Sequence, residues 1–480
     1  MLADQVRTPW RFALGAVIAM ALVRLVTPPP TCRPSSRPAV LAPVLAPSPA
    51  VAGSTAVTYV HVKFRSVDAA LAARMLAPAY TPLFTHRSAA ATTVNDPRAA
   101  WVRILVPTAT ANVWAAVLRA TDPTVEQAFV APTITLPDRG PTLASLAPPL
   151  RDGESCPITT PSFESYQGYL GPAPHGIDAP AAWRRGHRGE GVWFADVEGG
   201  WNAAHEDLPG DRIEHVAGIP IRDPSWRAHG TAVLGEVIGR DNGKGVAGIA
   251  PDVSRVFTAS IDGIAVADAI DAAAQQLRPG DVLLIELQGG GPRGRWIPVE
   301  YWDDVFDAIY AATQRGVIVI EAAGNGDEDL DHPGYRRAFD RAYRDSGAIM
   351  VGAGGPPREG FTDRERLDFS NHGDRVDVQG WGRKVATLDY GDLQACDDHS
   401  DRTYADRHYT GEFSGTSSAS PIVAGAAILL EGIARSRGRI IPPAELRELL
   451  RRTGTPQTGD TSEHIGPRPD LERAIAALPR

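Results

Sequence analysis

The chain has 480 residues, is 43% apolar and 22% charged, and carries a formal net charge of −9. The length exceeds one typical domain, and the composition is that of a globular protein with an ample core. An acidic balance with no long basic run excludes an electrostatic footprint for nucleic acid, and three cysteines without CxxC spacing (Cys32, Cys156, Cys396) argue against a thiolate metal site or a dithiol redox pair.

Residues 1–27 read as an export segment. Arg7 and Arg11 precede an apolar stretch from Phe12 to Val23, and Arg24 closes it. That stretch is short for a bilayer span and suits a signal peptide; without a small-residue cleavage site directly after it, an uncleaved anchor is the other reading. Residues 28–55 are rich in Pro, Ala and Ser, the composition of an extended linker.

Order returns at residues 56–137. "TYVHVKF" alternates Val60, Val62 and Phe64 against His61 and Lys63, the pattern of a half-buried strand. "SVDAALAARMLA" follows as a short helix that Ser66 can cap. "AWVRILVP" is a second strand, "ANVWAAVLRA" a second helix and "VEQAFVAPTITL" a third extended run. This makes a small α+β unit without a catalytic grouping. Residues 138–165 are turn-rich and read as a junction.

From residue 166 onward strands and helices alternate. "GVWFADV", "VFTASI", "DVLLIELQ", "GVIVIEAAGN" and "AIMVGAG" suit strands buried on both faces, and helical stretches separate most of them. In "PVEYWDDVFDAIYAATQRG", Trp302, Val305, Phe306 and Ile309 recur at helical spacing, with Gly316 as a stop. The alternation predicts an α/β fold, a doubly wound, mostly parallel sheet whose ligand site lies at the carboxyl ends of its strands.

Four polar residues fall at such ends. Asp196 closes "GVWFAD", His229 opens the helical "HGTAVLGEVIG", Asn325 closes "VIVIEAAGN", and Ser417 opens a helix of unusually small side chains. Singly each is an ordinary turn or cap residue. Together, with "HGT" at 229–231, "AAGN" at 322–325, "FSNHG" at 369–373, "GTSSASPIVAG" at 415–425 and the ending "HIGPRPDLERAI", the chain resembles the subtilisin-like serine peptidases of family S8.

The resemblance implies a serine endopeptidase working through an acyl-enzyme, with Ser417 as nucleophile, His229 as general base and Asp196 orienting the imidazole. Asn325 would stabilise the oxyanion. The order Asp, His, Ser matches this family and not the α/β-hydrolases. Pro421 is expected in the first helical turn, where a missing N–H matters little, and Ser418 is expected to pack or cap. Leu287, Gln288 and Gly289 would line one wall of the substrate cleft, and Ala322, Ala323 and Gly324 the other. The small N-terminal unit sits where the family carries an inhibitory propeptide, which implies a zymogen cut between about residues 135 and 165. Secreted or extracytoplasmic location, a monomeric state, and protein or peptide substrates follow, with the chain's own N-terminal domain as inhibitor.

Two departures stand out. Where the family has Asp-Thr-Gly or Asp-Ser-Gly, this chain has "DVEGG", with Glu198 two residues past Asp196; where it commonly has Ser-Leu-Gly-Gly, this chain has "ELQGG". Three other readings compete: a sedolisin-type acid peptidase, disfavoured by His229 and Asn325; a serine esterase, disfavoured by residue order; and a catalytically inactive binding module on the same fold. No cofactor is expected for the chemistry and no metal site is assigned. The family often binds structural calcium, and the acidic runs at 325–334 and 396–406 lack EF-hand spacing. A Cys156–Cys396 disulfide is expected of an exported chain. Glu286 and Glu321, each interrupting an apolar strand, are expected to be buried together on neighbouring strands.

Overall fold

The computed structural model describes residues 56–77, 79–86, 96–136, 159–395 and 406–479. The segments 1–27 and 28–55, most of the junction 138–165, Cys156 and Cys396 lie outside the described residues. The chain divides into two compact units, which part between Ala131 and Pro132, with Thr85–Ser88 belonging to the second.

In the first unit β1 (Val57–Phe64), α1 (Val67–Leu76), β2 (Thr81–Pro82), β3 (Trp101–Pro107), α2 (Ala111–Thr121) and β4 (Val125–Val130) follow in order. The strands form an antiparallel sheet in the order β2-β3-β1-β4. Val60 and Val62 pair with Ile104 and Val102, and with Phe64, Ala115 and Leu118 they make the unit's core. Ser66 caps α1, its side chain accepting from Ala69 N–H at 3.1 Å. His61 departs from the expected alternation: it is buried too, edge-on to Phe129. The run read as a single third strand breaks at Pro132, which has no N–H to carry a ladder onward. Its remainder, β5 (Ile134–Thr135), belongs to the second unit.

That unit continues through α3 (Ala179–Trp183), β6 (Trp193–Glu198), β7 (Ile213–Ala217), α4 (Pro224–Ile238), β8 (Arg255–Ser260), α5 (Val266–Gln276), β9 (Val282–Ile285), β10 (Gln288–Gly290), β11 (Trp296–Pro298), α6 (Asp303–Gln314), β12 (Ile318–Ala322), β13 (Ile349–Gly354), β14 (Val378–Trp381), β15 (Val385–Leu388), β16 (Tyr409–Phe413), α7 (Thr416–Ser436), α8 (Pro443–Thr453) and α9 (Leu471–Ala477). Seven strands form a parallel sheet in the order β14-β13-β12-β9-β6-β8-β7. Helices α4 and α7 cover one face, α5 and α6 the other. This is the doubly wound α/β sheet expected from the alternation. The chain adds β7 and β8 on one side of β6 and β9 on the other, so the strand order reverses around β6. Its carboxyl end is the place where such a sheet opens a binding crevice.

Glu286 and Glu321 are both fully buried but not together. Glu321 stands opposite Ile285 in the ladder, so Glu286, one residue on, points to the other face. There Ser420 of α7 donates to Glu286 at 2.6 Å. Glu321 instead accepts from the Glu300 backbone at 2.9 Å, beside Arg375, whose guanidinium bonds Glu300 at 2.6 and 2.9 Å and Asp377 at 2.9 Å. Burial pushes Glu300 up, yet Arg375 overrides it and holds Glu300 below its usual range. Burial and then the Glu300 charge drive Glu321 well above it.

Helix α7 is long and apolar enough to span a membrane, yet its first nineteen residues, Thr416–Ala434, are all buried in the domain. Small side chains make that passage possible. A Cβ on Gly380 of β14 would lie 2.3 Å from the Ala419 carbonyl, and one on Gly425 would lie 2.6 Å from Ile249. Gly425→Ala should therefore destabilise the fold by about 1–3 kcal/mol through overpacking, read as a lower urea midpoint with an unchanged slope.

Candidate active site

His229 lies on α4, but in its second turn. The loop reading of "RDPSWRA" is corrected: the helix starts at Pro224, and Asp223 caps it by accepting from Ser225 N–H at 2.9 Å. The two residues after His229 fix its surroundings. A Cβ on Gly230 would strike the Gly200 carbonyl at 2.3 Å, so only glycine admits the turn that follows β6. The Thr231 hydroxyl donates to Arg227 C=O at 2.6 Å and accepts from Asn202 N–H at 2.9 Å, stitching that turn to the helix.

The carboxylate against His229 is Glu198, not Asp196. Nδ1 of His229 and Oε1 of Glu198 are 2.6 Å apart, with both side chains fully buried. Asp196 instead accepts from Trp201 Nε1 at 2.7 Å. The physical reason is the length of β6, which runs two residues past Asp196, so Glu198 is the strand-end residue. Gly199 and Gly200 then make the turn: a Cβ on Gly199 would lie 2.1 Å from the Trp226 ring. An acceptor-only carboxylate at Nδ1 selects the tautomer that leaves Nε2 as the basic nitrogen.

Ser417 is the second residue of α7. The residue before the helix, Gly415, has φ +110° and ψ −178°, a region essentially restricted to glycine. The His229 ring meets Phe413, at the end of β16, edge-on at 5.3 Å. Ser418 donates to Trp381 C=O at 3.0 Å and Gly415 C=O at 3.1 Å, a packing role as expected. Pro421 is the sixth helical residue, in the second turn and not the first. It removes the N–H that would otherwise bond the Ser417 carbonyl.

Asn325 follows β12 and is fully buried. Its Oδ1 accepts from both the Thr416 N–H and the Thr416 hydroxyl at 3.0 Å, which sets which way the amide faces beside Ser417. The loop carrying it is held by Asn371, from "FSNHG". Asn371 Oδ1 accepts from Gly326 and Glu328 N–H at 3.0 Å, and Nδ2 donates to Ala323 C=O at 2.6 Å and Trp296 C=O at 2.9 Å.

The two expected cleft walls hold different things. Leu287, Ala322 and Ala323 are fully buried. Gln288 and Gly289 pair antiparallel with Thr135 and Ile134 of the chain's own β5. A Cβ on Gly324 would lie 3.6 Å from Gln288 Oε1, so the Gln288 side chain reaches across to the other wall.

Beneath the site lies a layer of buried carboxyls. Asp196, Glu198, Glu236 of α4 and Glu286 are all fully buried. Among the described residues neither oxygen of Glu236, and one oxygen each of Asp196 and Glu286, has a hydrogen-bond partner. Burial first, then the neighbouring acids, pushes Asp196, Glu236 and Glu286 well above the usual carboxylate range. All three are shifted toward the protonated form, which lowers the cost of stacking acids.

No group of three or more His, Cys, Asp or Glu side chains is gathered for a metal among the described residues. In the 325–334 run Glu328 pairs with Arg293 at 3.0 Å, Asp327 with Arg366 at 3.0 Å, and Asp331 accepts from Asp374 N–H at 2.8 Å. These acids are dispersed onto separate partners, which does not fit a shared calcium ligand set.

Residues 211–466, just over half of the chain, match the model of the subtilase family (peptidase S8). That stretch holds His229, Asn325 and Ser417 and begins after Asp196 and Glu198. The chain is 26% identical over 295 residues to the major intracellular serine protease of Bacillus subtilis (strain 168), covering 58% of this chain and 80% of that one. It is 30% identical over 264 residues to subtilisin BL of Lederbergia lenta, covering 53% and 81%. Among solved structures it resembles fervidolysin of Fervidobacterium pennivorans, a keratinolytic enzyme related to subtilisin, with TM-score 0.57 and 19% identity over 90% of this chain and 62% of that one. It also resembles the epidermin leader peptide processing serine protease of Staphylococcus aureus, with TM-score 0.55 and 18% identity over 88% and 99%. At such identities the two structures speak to the fold alone.

Two outcomes follow. Glu198→Gln should cut peptide hydrolysis by about 10⁴-fold by withdrawing the charge that holds the His229 tautomer, whereas Asp196→Asn, isosteric with the protonated acid, should stay within about tenfold of wild type. Because the raised carboxyls bind more protons folded than unfolded, stability is fully present below the ordinary carboxylate range and falls as pH rises above it. Glu236→Gln should match wild type in urea midpoint below about pH 4 and exceed it at about pH 9, where unfolded Glu is ionised.

Proposed function

The chain belongs to the subtilase family of serine peptidases, and on that premise we propose that it is an exported serine endopeptidase, made as a zymogen. It would cleave peptide bonds through Ser417, His229 and Glu198. The observation that carries the reading is the fully buried 2.6 Å contact of His229 Nδ1 with a carboxylate, on the helix packed against α7. Such a pair makes Nε2 a base able to accept the Ser417 proton as Oγ attacks the scissile carbonyl. Negative charge then develops on the carbonyl oxygen, met by the Asn325 amide and the N-terminal backbone N–H groups of α7. His229 passes the proton to the leaving amine, leaving an acyl-enzyme. Water, deprotonated by the same nitrogen, releases the acid and regenerates Ser417. These steps use the named side chains, the backbone N–H groups of α7 and water.

The zymogen reading is supported by β5. Residues 133–136 lie along β10 as an added strand: Gly290 N–H donates to Thr133 C=O at 3.1 Å, and Gln288 Nε2 to Leu136 C=O at 2.8 Å. Adding a strand to a sheet edge is how extended peptides are commonly held. A segment so held precedes the turn-rich stretch 138–165, where a tethered bond gains a high effective concentration at the nucleophile. Export rests on the Arg-flanked apolar stretch at the N-terminus.

Expressing wild type beside Ser417→Ala tests this. Wild type should yield a peptidase-sized fragment whose N-terminus falls between about residues 135 and 165, and the alanine variant should stay whole. Equal cutting of both would assign the step to another protease. No cut and no peptide hydrolysis by wild type would instead favour an inactive binding module.

A further inference from the structure

With Glu286, Gln288 is one of the two residues through which this chain departs from the Ser-Leu-Gly-Gly pattern at the cleft edge, and its side chain is nearly fully buried. Both ends of its amide are engaged. Oε1 accepts from the Asn325 backbone N–H at 2.8 Å, and Nε2 donates to the Leu136 carbonyl at 2.8 Å. The Asn325 N–H can only donate, so it fixes Oε1 on its side and leaves Nε2 facing the added strand. The pairing register places Thr135 opposite Gln288, so the carbonyl that is gripped belongs to the residue one beyond the paired one. A glycine at 288 would leave the ladder of β10 intact and supply neither contact.

We propose that Gln288 is a substrate-positioning residue, whose side-chain amide clamps a backbone carbonyl of an extended peptide and ties it to the backbone of the oxyanion residue Asn325. This rests on the peptidase reading, in which residues 133–136 lie where substrate lies. Three consequences follow from the chemistry. The clamp reads a main-chain acceptor, so it is indifferent to the side chain at that position. It spans from one cleft wall to the other, so it fills space that glycine would leave open to a substrate side chain. It also links occupancy of the strand to the Asn325 backbone, so binding and oxyanion stabilisation are coupled through one side chain.

Gln288→Glu separates the two contacts, because a carboxylate still accepts from Asn325 N–H but repels the peptide carbonyl. Gln288→Gly removes both. The first measurement uses the uncut full chain in a Ser417→Ala background, and so does not depend on catalysis. Hydrogen exchange of the peptide covering residues 132–136 should speed up roughly 3- to 10-fold in both variants, the worth of one lost hydrogen bond. Exchange in β12 and β13 should stay unchanged, which shows that the fold is intact. Unchanged exchange at 132–136 would overturn the clamp whether or not the protein is a peptidase.

The second measurement uses self-processed enzyme and a peptide of residues 129–140 as inhibitor, with the Leu136–Pro137 carbonyl intact or reduced to methylene. Wild type should bind the reduced peptide about 3- to 10-fold more weakly, and Gln288→Gly, which has no side chain to reach the carbonyl, should bind the two alike. For hydrolysis of a peptide substrate, Gln288→Glu should raise KM with little change in kcat, and Gln288→Gly should also lower kcat. Equal discrimination by wild type and variants would overturn the proposal. Absence of hydrolysis by wild type would instead sink the peptidase reading and leave the exchange result to decide the clamp.

Discussion

Helix α7 runs through the middle of the second unit with no face left to solvent over its first nineteen residues. Everything near the site depends on that passage. A helix buried all round must have slim side chains wherever another backbone crosses it, which is why Ala419 meets Gly380 and Gly425 meets Ile249 at distances that exclude a methyl group. Close-packed interiors resist displacement. The N-terminus of α7, and Ser417 with it, is therefore fixed by the core and not by a loop, and Thr416 anchors the Asn325 amide to the same point.

Much of this was legible in the sequence. Apolar runs separated by helical periodicity give the parallel sheet, and the small-residue run after Ser417 announces a buried helix. The strand-end carboxylate was misplaced for a local reason. An Asp closing "GVWFAD" has the right chemistry, but an apolar alternation cannot show whether a strand stops there or two residues later. The signal was present in "EGG": an acid followed by two residues without side chains suits a strand end that runs straight into a tight turn. Gly199 has no room for a Cβ beside Trp226. Glu286 and Glu321 were put on one face because the register between their strands cannot be read from either strand alone, and a one-residue offset reverses every side chain. Thr231 and Asn371 act through hydrogen bonds to segments distant in sequence, which no local pattern encodes.

The two faces of the sheet resolve buried acids in opposite ways. On the α6 side Arg375 supplies a fixed positive charge, and Glu300 stays ionised against it at 2.6 Å. On the α4 and α7 side His229 meets Glu198, and burial shifts Asp196, Glu236 and Glu286 toward their protonated forms. Burying acids uncharged avoids the desolvation that an ion pair must overcome.

A glutamate reaches farther than an aspartate by one methylene, about 1.5 Å of covalent length. Glu198 ends β6, and after it come Gly199, with no room for a Cβ beside the Trp226 ring, Gly200, whose carbonyl lies where a Cβ on Gly230 would fall, and Trp201, whose indole holds Asp196. A shorter acid at 198 would have to draw strand and helix together to keep the 2.6 Å contact, against the close approach of Gly230 to the Gly200 carbonyl. The longer acid and the packed turn that follows it thus act as one spacer: the reach of the side chain and the separation of strand from helix are set together, so shortening one calls for a change in the other.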